Sequence, residues 1–82
     1  MMNLDQFATI CIQNYAMRAA EPGMAGPNFS WTKTFPEMAV GYVRTQWWLA
    51  NRSERVLEKN LKRVERIAVE VGASFAKITG KE

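Results

Sequence analysis

From Leu4 onward, apolar residues recur at steps of three and four: Leu4, Phe7, Ala8, Cys11, Ile12, Tyr15 and Ala19. That spacing predicts an amphipathic helix over about residues 3–20. Asn3 stands where a cap belongs, and Gln6 three positions later completes a capping-box pattern. Pro22, Gly23, Gly26 and Pro27 end the helix, and residues 21–33 read as a connector. Met24, Phe29 and Trp31 make that connector unusually apolar, so it is expected to pack back on the helices as an ordered strap.

A second start follows at Thr34-Phe35-Pro36-Glu37, which joins a capping hydroxyl, a proline in the first turn and a glutamate at the third position. From there to about Ile78 one series keeps the three-and-four rhythm: Val40, Val43, Trp47, Ala50, Glu54, Leu57, Leu61, Val64, Ala68, Val71, Phe75 and Ile78. This is a heptad seam with one polar interruption, at Glu54. No proline falls inside it, and Gly80 marks the stop. A straight helix over residues 35–78 would be roughly 66 Å long. A rod of that length either meets a partner or folds back near Asn51-Arg52-Ser53, where Asn51 and Glu54 form another capping-box pattern. Because the seam stays in phase and no Gly or Pro reverses the chain, the sequence favours a continuous or gently kinked rod. The break near Asn51 is the alternative.

The expectation is therefore an all-α chain and a single small domain over residues 1–82: short first helix, ordered loop and long C-terminal helix. The seam formed by Val43, Trp47, Leu57, Leu61, Val64, Ala68, Val71 and Phe75 is expected to join copies into a homo-oligomer, with a dimer favoured. Glu54 would then fix register against an arginine of another copy.

Composition narrows the chemistry. With 82 residues the chain is near the lower size at which one core suffices, and an apolar fraction of 48% argues against disorder. Histidine is absent, which removes the commonest general base and metal ligand together. Cys11 is the only cysteine, set in an apolar run, so it reads as a buried small hydrophobe. No adjacent carboxylate pair, phosphate loop or activated serine occurs. No enzyme activity and no cofactor are expected. Nothing near Asp5 and Gln6 reads as a signal peptide, and the apolar runs fall short of the ~20 residues a bilayer demands. Membrane insertion is not expected, and a cytoplasmic setting is.

A helical wheel over residues 52–78 separates the faces. Glu54, Glu58 and Glu65 flank the seam, Val56 and Ile67 widen it, and Arg52, Arg55, Lys59, Lys62, Arg63 and Arg66 lie opposite. Arg55 with Lys59, and Lys59 with Arg63, are like-charge pairs one turn apart, a repulsion that an acidic partner would relieve. On a continuous helix Trp48 and Arg44 share the meridian of that stripe. Adjacent indoles diverge by about 100°, so only one of Trp47 and Trp48 can enter a core. The functional expectation is a non-catalytic regulator, inhibitor or assembly factor. It would meet a larger protein through Trp48, Arg44, Arg52, Arg55, Lys59 and Arg66. Nucleic-acid binding through the same residues is the alternative, and an amphipathic coat on a lipid or granule surface is a third.

Overall fold

The seam does not continue as one rod. In the computed structural model, which describes residues 3–81, helix α2 runs from Phe35 to Asn51 and stops at Arg52. Arg52 takes a left-handed conformation, φ 54° and ψ 32°, and its N–H donates to the Trp48 carbonyl at 2.7 Å. The Asn51 amide also turns back, donating to the Trp47 carbonyl at 3.1 Å. After the bend come a short helix α3 (Arg55–Lys59) and the long α4 (Leu61–Thr79). The fold-back alternative is thus the one realised, and the continuous rod is corrected.

Helix α1 (Leu4–Ala19) begins as its sequence requires, with Asn3 Oδ1 accepting from the Gln6 N–H at 2.8 Å. Leu4, Ala8, Ile12 and Ala16 form its buried stripe, one residue per turn. Small residues at two of these four positions bring α1 close to its neighbours. Helices α1, α2 and α4 pack mutually, so the body is a three-helix assembly with α3 as a short link. Its extents are 35 × 20 × 20 Å, about half the length of the hypothetical rod. No strand occurs among the described residues.

The folding back changes what the seam touches. Val43, Trp47, Leu57, Val64 and Ala68 are buried within the single chain. Leu61, Val71 and Phe75 pack half-buried against the same core. The rhythm marks the apolar side of each helix, but these side chains meet α1, α2 and the connector of their own chain. Glu54 is exposed at the start of α3, with no side-chain cap bond and no place in a seam.

The connector packs back as expected, through particular side chains. Trp31 is buried, stacked on Phe75 at 5.1 Å and edge-on to Phe29 at 4.8 Å. Its carbonyl lies against Gly72 of α4, where a Cβ would stand 2.4 Å from the oxygen. Met24, by contrast, is exposed.

The start of α2 is where the sequence placed it, although its capping differs. Thr34 makes no side-chain cap bond to α2. Its hydroxyl instead turns back to Ser30, accepting from that residue's N–H at 2.8 Å and donating to its carbonyl at 3.2 Å. The hydroxyl therefore closes the strap instead of capping the helix. Gly80 ends α4 in the left-handed conformation, φ 71°, as anticipated.

Candidate binding surfaces

The two indoles at the end of α2 diverge as helix geometry demands. Trp47 enters the core, 7% exposed, and meets Phe7 of α1 at 5.2 Å with the rings 79° apart. Its Nε1 is buried without a hydrogen-bond partner. Trp48 remains 44% exposed. One turn before Trp48, Arg44 pairs across the bend with Glu58 of α3 at 3.4 Å, both side chains about half exposed. This pair sets α3 beside the outer face of α2. Arg55 begins the same short helix, three residues before Glu58. Arg52 sits exposed at the bend itself.

The other stripe residues do not share this spot. Lys59 ends α3, and Arg66 is exposed on the second turn of α4, beyond the non-helical Asn60. A single meridian from Arg44 to Arg66 would need an unbroken helix, so the break divides the stripe among α2, α3 and α4. Arg63 is drawn away altogether into an exposed ion pair with Asp5 of α1. The second Asp5 oxygen, Oδ1, is turned inward without a partner. Of the residues that widened the seam on paper, Ile67 packs on the core and Val56 stays exposed.

A concave feature lies at the other end of α2. The last turn of α1, the connector and the first turns of α2 enclose a cleft of about 480 Å³. Its principal side chains are Tyr15, Arg18, Met24, Phe29, Thr34 and Met38. Sequence reading passed over this site. The one available signal was a loop too apolar for a loop, whose surplus was assigned wholly to covering the helices.

Among the described residues no three His, Cys, Asp or Glu side chains gather as metal ligands. Cys11 is half-buried, and desolvation raises its thiol pKa above the ordinary value, which keeps it neutral. No helix among the described residues is long and apolar enough to cross a membrane. No family model, no curated protein and no solved structure matches this chain.

Proposed function

We propose that this chain is a non-catalytic binding protein that holds a larger, acidic protein partner through the α2–α3 bend. The exposed Trp48 carries the reading. Its neighbour shows that an indole can be accommodated in this core, yet Trp48 stays outside, one turn after Arg44 on α2 and one turn before the bend at Arg52 that leads to Arg55. Tryptophan and arginine are the residues most enriched where interface energy concentrates. Two carboxylates, Glu54 and Glu58, stand among the three arginines, so the bend keeps a net positive charge for a partner's Asp or Glu.

Nucleic acid fits the bend less well. The formal net charge is only +3, and Glu54 and Glu58 interrupt the arginines. A lipid or granule coat would require the apolar face of α4, and that face is spent in the core.

Selection from a displayed library of Asp- and Glu-rich amphipathic peptides tests the proposal. Recovered peptides should lose affinity to Trp48→Ala by at least about 2 kcal/mol, the level that defines a hot spot. Arg55→Glu should weaken them as well, with the helical circular dichroism of both variants unchanged. Peptides that bind both variants as tightly as the parent overturn the reading. A duplex or single-stranded oligonucleotide that binds instead, with affinity falling steeply as salt rises, overturns it in favour of nucleic acid.

A further inference from the structure

The cleft between α1, the connector and α2 is separate from the bend. Met38 on its wall lies ten residues from Trp48, about 15 Å along the helix. We propose that this cleft binds a free acyl carboxylate: an unbranched aliphatic chain with its anionic end on Arg18.

Three observations select that chemistry. The volume of 480 Å³ falls in the range of small-molecule sites. A docked protein would instead need about 800 Å² of contact on each side. The walls are apolar and already formed, since the connector holds its own shape. Gly23 turns at φ 80°, the Met24 N–H donates to the Glu21 carbonyl, and the Phe29 N–H donates to the Gly26 carbonyl. Met24 and Met38 stand at this wall 62% and 46% exposed. Unbranched thioethers adapt their shape to a flexible chain, and covering them removes apolar surface from water.

The aromatic residues decide between an aliphatic and an aromatic ligand. Tyr15 is stacked by Tyr42 at 5.3 Å and tilted against Phe35 at 5.9 Å. Phe29 is engaged by Trp31 and Phe35. Rings already paired in this way offer an aromatic guest little stacking, whereas an alkyl chain needs only contact.

The charge fixes the head group. Arg18 lines the cleft and forms no ion pair among the described residues; the two pairs found join Arg44 to Glu58 and Arg63 to Asp5. One guanidinium presents a planar fork that matches the two oxygens of a carboxylate. A phosphate would leave a third oxygen without a charged donor here.

Methyl-labelled methionine reports on the site directly. Sodium decanoate, decanol and decyltrimethylammonium would each be titrated below their aggregation limits while carbon–proton correlation spectra are recorded. Met17, which is exposed on α1 and does not line the cleft, is the internal control. Decanoate should shift the Met24 and Met38 methyls saturably and leave Met17 in place. It should bind roughly tenfold tighter than decanol, the gain expected of one charge-assisted contact. Arg18→Gln should erase that preference without changing the decanol affinity, and Met38→Glu should abolish both. Trp48→Ala should change none of this, which separates the cleft from the proposed protein interface. Four results overturn the proposal: no saturable shift at Met24 and Met38, Met17 moving in parallel, decyltrimethylammonium binding as well as decanoate, or Arg18→Gln keeping the carboxylate preference.

Discussion

Gly72 allows the connector to lie on α4. A Cβ there would stand 2.4 Å from the Trp31 carbonyl oxygen and 3.1 Å from Phe35 Cδ2. The first neighbour is backbone and cannot swing aside. Gly72→Ala should therefore destabilise the fold by about 1–3 kcal/mol, although alanine is the better helix former. Urea unfolding followed by circular dichroism measures it. The two indoles predict opposite outcomes. Trp47→Ala should cost about 3–5 kcal/mol through the cavity it leaves, while Trp48→Ala should stay within about 0.5 kcal/mol. Trp47→Phe should cost less than Trp47→Ala, because it keeps a ring against Phe7 and deletes the orphaned Nε1–H. Cys11 links stability to pH. Its raised thiol pKa means the fold favours the neutral form, so its contribution is complete below the unfolded thiol pKa. That contribution is lost as pH rises through the folded value. The parent should therefore lose more stability than Cys11→Ala across the alkaline range, measured as the difference between their melting curves.

At the scale of elements, the helix ends show what a sequence discloses. The Asn3 cap, the Pro36 start and the Gly80 stop depend on a few adjacent residues, and each was legible. The break near Asn51 was legible only as an alternative, because nothing local marks an arginine for the left-handed region. That conformation costs an L-residue about 1–2 kcal/mol, a strain that burying Leu57, Val64 and Ala68 against α1 and α2 offsets. Arg52→Gly should relieve it and raise stability by up to about 1 kcal/mol, the rest being offset by the entropy glycine adds to the unfolded chain. A higher chemical-denaturation midpoint at an unchanged slope would register this. Thr34 shows a subtler failure of local reading. The residue type and helix start were right, yet the hydroxyl found Ser30 on the other side.

For the whole molecule, fold class was legible and the destination of the seam was not. A three-and-four rhythm states which side of each helix is apolar. It does not state whether that side will meet another chain or the same chain returning. Of the contact candidates, Arg44, Trp48, Arg52 and Arg55 fall on the two segments that meet at the bend. Lys59 and Arg66 were assigned by a straight-helix wheel that the break invalidates. The cleft draws single residues from three separate segments, so no window along the chain displays it. With the seam turned inward, the argument for pairing that a free rod would supply is gone. Sedimentation equilibrium should accordingly return the mass of one chain, 9.4 kDa, through the micromolar range. A stable dimer would point to a further apolar surface, such as the exposed Val69 and Ile78 of α4.

The lodging of Trp31 between Phe29 and Phe75 has a consequence for biosynthesis. A nascent polypeptide released before Phe75 has been translated contains the tryptophan but no floor on which to rest it. Without Phe75 the indole loses the ring it stacks on, and a stop upstream of Leu61 also removes α4, the third wall of the first two helices. Frameshifts and stops that fall before Phe75 should thus yield sticky, protease-sensitive fragments, not shortened but functional proteins.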